Sequence, residues 1–281
     1  MRGIAIVGAG QAGLQLGLGL LAAGHQVTLV AERRPEEVRG GRVTSTQLMF
    51  GPALGIEREA GLALWDDTAP VMPGFELSHW EPDGQPDAPV RRFTAPFDDE
   101  VRSVDQRVKL AAWLELFEER GGRAEYRSVG PSEVAGLAAA HDLTVLATGR
   151  GELSALFAHD TSWPVHDRPQ RTLACFYVHG VAHDAADPAA GYVRTTGVPP
   201  AGDVIIMRAL TVGGPCDIVL FEGRWGGAYD CWGDRPDAAA GWRRALGLLR
   251  THAPWEYERF RRAEPTDPGA ALYGAITPTV R

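Results

Sequence analysis

Three things are scarce in this 281-residue chain, and each scarcity removes a class of function. Cysteine is the first. Cys175, Cys216 and Cys231 are scattered and no C-x-x-C occurs. The pattern offers neither a disulfide framework nor a zinc site, and it fits a reducing cytoplasm, the expected location. Long apolar runs are the second: no stretch approaches the roughly 20 residues that a membrane span needs. The apolar N-terminus carries no basic leader beyond Arg2 and reads as a loop-helix rather than a signal peptide. Positive charge is the third. With 28 Lys and Arg against 36 Asp and Glu, the net charge is −8, which argues against non-specific nucleic-acid binding. Arg33-Arg34 and Arg243-Arg244 read as solvated faces or a phosphate contact. There is no G-x-S-x-G elbow, no P-loop G-K-[ST], no H-E-x-x-H, no internal repeat and no low-complexity segment. Carboxylates are plentiful, but no spacing pairs them for acid–base work. A bound cofactor is left to carry the chemistry.

What is present begins at once. Gly3-Ile4-Ala5-Ile6-Val7 is an apolar strand, followed by Gly8-Ala9-Gly10-Gln11-Ala12-Gly13. In a G-x-G-x-x-G loop the first glycine makes the turn and the second lets a pyrophosphate approach the backbone. The third lets the helix pack on the strand. Leu14 to Ala23 reads as that helix, its N-terminal N–H groups aimed at the anion. Gln26 to Ala31 is a second strand, and Glu32 at its end is placed to hydrogen-bond a ribose. The unit predicts a Rossmann-like βαβ fold of the α/β class. The loop alone does not choose between NAD and FAD.

Further on, Gly40-Gly41-Arg42 reads as a loop, Leu48 to Ala63 as a helix and Phe75 to Trp80 as a short strand in a proline-rich stretch. A helix from Val104 to Arg120 carries a buried stripe of Val108, Ala111, Ala112, Leu114 and Phe117, stopped by Gly121-Gly122. Ala124 to Val129 and Leu143 to Ala147 are strands, the latter ending at Thr148-Gly149, where a doubly wound sheet places its ligand crevice. After Gly151 the pattern changes. Thr172 to Gly180, Asp203 to Leu210, Cys216 to Arg224 and Gly227 to Trp232 read as an antiparallel sheet, and Ala238 to Arg250 as an amphipathic helix. The 44% apolar content suffices for one large core or two smaller ones. The expected domains are 1–65 with 101–155 for the dinucleotide, and 66–100 with 156–281 for the substrate. His179 and His183 lie on a strand pattern, where i and i+4 stand about 13 Å apart, so they are not read as a metal pair.

Ile6 to Leu14, Glu32 to Glu37, Gly41-Arg42, Asp105-Gln106-Arg107, Leu146 to Gly149 and Pro169-Gln170-Arg171 together resemble the FAD-dependent styrene/indole monooxygenase oxygenase subunits. Phe221-Glu222-Gly223, Asp230-Cys231-Trp232 and Pro254-Trp255-Glu256 keep to the same pattern, so the resemblance runs along the whole chain in order. It implies a fold similar to para-hydroxybenzoate hydroxylase, FAD as cofactor, and reduced FAD supplied by a separate NADH-dependent flavin reductase. It further implies transfer of one oxygen from a flavin C4a-hydroperoxide, formed with O2, to an aromatic alkene or indole-like substrate. Related subunits often form homodimers. By position, the resemblance puts Gly8, Gly10, Ala12 and Gly13 at the pyrophosphate, Glu32 at the ribose, and Arg33 and Arg42 at the ribose edge and phosphates. Val129 offers backbone to the adenine, Thr148 and Gly149 close over the adenosine side, and Arg107 reaches the flavin side. Ser45 stands where the styrene enzymes carry an asparagine, and Met49 and Phe50 would wall the substrate pocket.

The family's second FAD motif, a strand ending in Gly-Asp before a Pro-x-x-Gly-Gln-Gly helix start, is expected beyond Arg281, so the chain reads as C-terminally truncated. The competing expectations are a self-contained NAD(P)H-using flavin hydroxylase of the same fold, and a non-catalytic dinucleotide-binding protein.

Overall fold

A computed structural model of the protein describes residues 1–80, 91–149, 151–158, 160, 162, 168–184, 186–187 and 189–276. The expected ending at Thr277 to Arg281 lies outside the described residues. In chain order the elements of the first half are β1 (Gly3–Val7), α1 (Gln11–Ala22), β2 (Gln26–Ala31), α2 (Pro35–Arg39), α3 (Gly51–Glu59), β3 (Val71–His79), β4 (Arg91–Arg102) and α4 (Gln106–Glu119). There follow β5 (Arg123–Tyr126), α5 (Pro131–Ala140), β6 (Leu143–Leu146), a 3-10 turn (Glu152–Leu156), β7 (Arg171–His179) and β8 (Val193–Val198). The last are β9 (Gly202–Thr211), β10 (Gly214–Arg224), α6 (Ala238–His252), α7 (Pro254–Phe260), β11 (Glu264–Pro265) and β12 (Ala271–Ile276).

Two compact units result, one from the described residues of 1–41 and 106–162, the other from those of 42–105 and 168–276. The boundaries expected at 65 and 101 fall elsewhere, because residues 42–65 and 101–105 group with the second unit. Val43 N–H donates to Gly269 O at 2.9 Å, and Met49 and Arg102 exchange backbone hydrogen bonds of 2.8 and 3.1 Å.

The first unit is a parallel sheet in the order β5-β2-β1-β6. β1 is almost continuously apolar because a parallel strand is covered on both faces. α1 packs against α4 at Gly17, where a Cβ would lie 3.1 Å from the Phe117 ring. α4 buries Ala111, Trp113, Leu114 and Phe117, and with them Arg107 and Lys109, while Val108 and Ala112 are only half-buried. The buried stripe is thus turned from its expected position toward Trp113, whose ring the Lys109 ammonium approaches to 5.1 Å of the centroid.

The second unit is a sheet in the order β11-β7-β10-β9-β8-β3-β4, with β12 also on β7; every pair is antiparallel except β3–β8. α6, capped by Asp237 accepting from Ala240 N–H at 2.7 Å, buries Trp242, Ala245 and Leu249 beneath one face with Phe176, Phe221 and Trp232. Cys175, Tyr177, Met207 and Ile218 belong to a second apolar cluster that also takes in Val43 and Leu48.

Three expectations change. Gly227 to Trp232 is not a strand: Gly227 N–H donates to Arg224 O and Asp230 N–H to Gly227 O, closing successive turns that deliver Tyr229 and Trp232 to the core. The Leu48–Ala63 helix shrinks to α3, which starts with Pro52 in its first turn and ends before Gly61, at φ 64°. β4, β8 and α5 are additional; β4 is an exposed edge strand whose charged residues give no apolar alternation. Among the described residues no helix is long and apolar enough to cross a membrane.

The α6 end carries a pH-dependent contact. His252 stands edge-on to Trp80 and Tyr229, ring centroids 5.6 and 5.4 Å away, and burial lowers its pKa. A depressed folded value means that the unfolded chain takes up the proton first, near pH ~6.5. The stability it contributes is complete above that pH and is lost as pH falls through the folded value. Thermal melts between neutral and mildly acid pH should therefore fall more steeply for the wild type than for His252→Phe; parallel curves would refute the assignment.

Candidate functional site

In the first unit the parallel sheet brings the ends of four strands to one carboxyl edge. Gly8 follows β1, and its N–H donates to Val30 O of β2 at 2.9 Å. Ala147 follows β6, and its N–H donates to Val7 O at 2.8 Å. Arg127 N–H reaches Ala31 O at 2.9 Å, so the segment carrying Val129 leaves from the same edge. Because β2 and β6 flank β1 on opposite sides, the connections diverge here, the switch point at which open α/β sheets bind ligands.

The three loop glycines meet different demands. Gly8 has φ 113°, and a Cβ on it would lie 2.5 Å from Ala147 O. On Gly13 a Cβ would lie 2.0 Å from Gly8 O. These two are required by the protein's own backbone. Gly10 is different: it is the N-cap of α1 with φ −78°, and a Cβ there would meet nothing within 4 Å. No side chain caps α1, and its first turn holds no acidic residue. Open space in front of an uncapped, unopposed helix N-terminus fits a phosphate-sized anion. Ala12, in that first turn, is exposed.

Around this cradle, Glu32 and Arg33 are exposed just beyond β2, Val129 and Thr148 are half-buried, and Gly149 is exposed with φ 62°. Their shared edge puts Gly8, Glu32, Val129 and Thr148 at one rim. Arg107 is buried at 3% exposure and donates from Nη1 to Gly41 O at 3.2 Å, tying α4 to the turn after α2. That turn is further fixed by Arg39, whose Nη2 lies 3.0 Å from both oxygens of Glu115. Sequence reasoning missed Tyr126 and its pairing with Arg34: the Arg34 guanidinium lies 4.5 Å from the Tyr126 centroid, and the Arg34 backbone N–H donates to Glu37 Oε2 at 2.7 Å. Burial, then the nearby Glu118, pushes the Tyr126 phenol up to about 12. The Arg-Pro-x-Glu spacing of a capped helix start was the available signal.

The remaining site residues belong to the second unit. Arg42 is exposed and makes no ion pair among the described residues. Ser45 is half-buried; its carbonyl accepts from Tyr177 Oη at 3.3 Å, and its Oγ donates to Thr46 O at 3.3 Å. Burial, with Cys175 and Asp105 adding to it, holds the Tyr177 pKa well above its ordinary range, so the phenol keeps the proton it donates. Behind it Asp105, 1% exposed, accepts from Thr211 Oγ1 at 2.6 Å. Met49 is held by its backbone exchange with Arg102. Phe50, 49% exposed, meets Phe97 edge-on at 5.7 Å. Ser45 therefore lies with Tyr177 over the second apolar cluster, while Phe50 stands at its own contact with Phe97. His183, singled out with His179, instead pairs through Nε2 with Asp217 at 3.0 Å.

Comparison with known proteins gives a consistent result. Residues 149–259 match the family described as "Styrene monooxygenase A putative substrate binding domain". The chain is 28% identical to styrene monooxygenase StyA of Pseudomonas fluorescens over 286 residues, covering 99% of this chain. It is 27% identical to the StyA of a Pseudomonas species over the same length. It spans 66% of the length of each of these two proteins. Among solved structures, the flavin-dependent halogenase CmlS superposes with a TM-score of 0.68 at 18% identity, covering 99% of this chain and 50% of that one. That likeness bears out the fold class: a dinucleotide-type βαβ unit joined to a largely antiparallel sheet.

Proposed function

Starting from a chain that is styrene monooxygenase-like along 99% of its length, we propose that it is the FAD-binding oxygenase part of a two-component monooxygenase. Its reaction inserts one oxygen atom of O2 into an aromatic alkene or indole-like substrate, with reduced FAD delivered by an NADH-dependent flavin reductase. A homodimer in the cytoplasm is the expected setting. The observation that carries the reading is the open cradle at Gly10, held at the sheet edge by two glycines that the backbone itself demands.

The residues fit the group. Gly8, Gly10, Ala12 and Gly13 would present backbone N–H groups and the α1 N-terminus to the pyrophosphate. Glu32 would accept from the ribose, and Arg33 and Arg42 would serve the ribose edge and phosphates. Val129 would offer backbone to the adenine, Thr148 and Gly149 would close the adenosine side, and Arg107 would serve the flavin side. When bound, reduced FAD supplies the activation of oxygen. The protein's part is to position and to exclude water. Ser45, fixed by Tyr177 through its carbonyl, and Met49 and Phe50 are assigned to the substrate wall.

The test is an FAD titration of the purified chain, read by flavin absorption and by thermal shift. At 100-fold excess over Kd, binding adds about 2.7 kcal/mol of stability, a rise of several degrees. Chemically reduced FAD with oxygen and indole should then give blue pigment. The absence of any FAD-dependent shift would sink the proposal and leave the non-catalytic reading. Rapid NADH consumption without a reductase would replace it with the self-contained hydroxylase.

A further inference from the structure

The edge strand β4 contains the run Arg91-Arg92-Phe93-Thr94-Ala95-Pro96-Phe97-Asp98-Asp99. About Ala95 this order is chemically self-complementary: the two arginines mirror the two aspartates, and Phe93 mirrors Phe97. The fold leaves the run at an open rim. β4 is the last strand of its sheet, and from Arg91 to Pro96 it is in continuous register with β3 on one side only. Met49 covers the far end, at Arg102. Between Arg91 and Glu100 every residue except Ala95 and Phe97 is exposed. Phe93, 63% exposed, is the cross-strand neighbour of Leu77, 45% exposed, at a groove of about 680 Å³ that Arg91 and Arg92 also line.

An open strand edge with exposed phenylalanine invites pairing with any other edge unless its charges select the partner. Here they do. Among the described residues Arg91, Asp98 and Asp99 make no ion pair. Arg92 reaches Glu76 at 3.6 Å, a carboxylate met more closely, at 3.0 Å, by Arg194, which also holds Asp187 at 2.8 Å and Glu256 at 2.9 Å in a buried cluster. Two copies meeting in parallel would set arginine against arginine. An antiparallel meeting about a twofold axis normal to the sheet keeps each side chain on its own face, so the residue numbers that face each other add to an even sum. With the axis at Ala95, Arg91 faces Asp99, Arg92 faces Asp98 and Phe93 faces Phe97. Moving the axis by one residue either way leaves Arg91 against Phe97 or Val101.

We propose that the β4 edge is the contact surface for a second copy of this chain, the two strands antiparallel about Ala95, with Arg91 and Arg92 of each set against Asp99 and Asp98 of the other. Pro96 has no N–H to give, and residues 97–100 stand opposite Pro73 alone, outside the β3 register. Side chains at the two ends therefore hold the contact more than a continuous backbone ladder does. Between those ends Phe93 meets the edge-on pair of Phe97 and Phe50 on the other copy, where Phe50 is 49% exposed. The homodimer of the function proposed above supplies the partner, and the surface does not depend on the cofactor.

Sedimentation equilibrium of the full chain over a range of concentrations tests this surface. The wild type should dimerise, and raising the ionic strength from about 0.05 to about 0.5 M should weaken the dimer several-fold, because the charge pairs lie at an exposed rim. Arg91→Asp sets aspartate against Asp99 at both ends and should weaken the dimer about tenfold or more; Asp99→Arg should do the same with arginines. Both positions are exposed, so far-UV circular dichroism should show each variant folded. Mixed one to one, the two variants should recover a heterodimer within about twofold of the wild-type affinity, since each end again pairs opposite charges. A chain that stays monomeric at every concentration overturns both this surface and the homodimer. A dimer that neither salt nor Arg91→Asp weakens, or folded variants that do not recover on mixing, overturns the surface and leaves the homodimer standing.

Discussion

Gly13→Ala should destabilise the protein by about 3 kcal/mol or more, whereas Gly10→Ala should leave it folded and blunt its affinity for FAD. The two substitutions add the same methyl group to the same loop. At Gly13 the new Cβ would sit 2.0 Å from Gly8 O, a backbone atom whose own position is fixed by the hydrogen bond from Gly8 N–H to Val30 O. No flexible side chain can give way, so α1 must shift off the sheet and loosen the packing of Leu14 and Leu18, both buried. At Gly10 nothing lies within 4 Å of the new Cβ, and φ −78° suits alanine. The only intramolecular cost is a poorer N-cap, about 1 kcal/mol or less. The methyl instead occupies the space a pyrophosphate would use, and a roughly tenfold or greater loss of FAD affinity is expected. Denaturant melts and FAD titrations of both variants check the pair. Equal loss of stability, or Gly10→Ala binding FAD as the wild type does, would remove the cradle assignment.

Arg194→Met should cost about 3–5 kcal/mol, because it strands Glu76, Asp187 and Glu256 without their shared cation. Two of these, Glu76 and Glu256, are almost wholly buried, and Arg259 is left as the remaining close partner of Glu256. In the native protein Asp187 is held below the usual carboxylate range: burial pushes it up, and Arg194 and the Ala189 N–H outweigh that. Its contribution is present above the unfolded pKa and lost as pH falls through the lower folded value. Removing the arginine reverses the sign. Stranded carboxylates hold their protons more tightly in the folded state than in the unfolded one, so the variant should be closest to wild type in acid and fall further behind as pH rises. Adding Glu76→Gln and Glu256→Gln to Arg194→Met should recover most of the loss. A destabilisation below about 1 kcal/mol, or one independent of pH, would show that the cluster is not coupled as described.

Local chemistry explains what could be read early. The strand, glycine loop, helix, second strand and Glu32 occupy about thirty consecutive residues, and Gly13 answers to Gly8 O within that same unit, although Gly8 answers to Ala147 O far along the chain. The parallel sheet followed from apolar runs, and α6 from its amphipathic stripe. The failures share a cause. Gly227 to Trp232 has the composition of a strand but closes into turns, because Tyr229 and Trp232 are needed on the core side beneath α6. β4 escaped notice because an edge strand need not alternate. The segment 42–65 was assigned to the wrong side of the boundary because its deciding partners, Gly269 and Arg102, are far along the chain.

Short-range spacing and order along the chain were enough for the βαβ unit, its loop glycines and the family likeness. Which glycine faces open space, that Arg107 donates from Nη1 to Gly41 O, and that Tyr177 holds Ser45 by its carbonyl all came from the tertiary structure. It also decided that Glu76, Asp187, Arg194 and Glu256, up to 180 residues apart in the chain, share one buried cluster. Burial and hydrogen-bond saturation are properties of neighbours in space, and no one-dimensional pattern of charges records which of them still has a donor to offer.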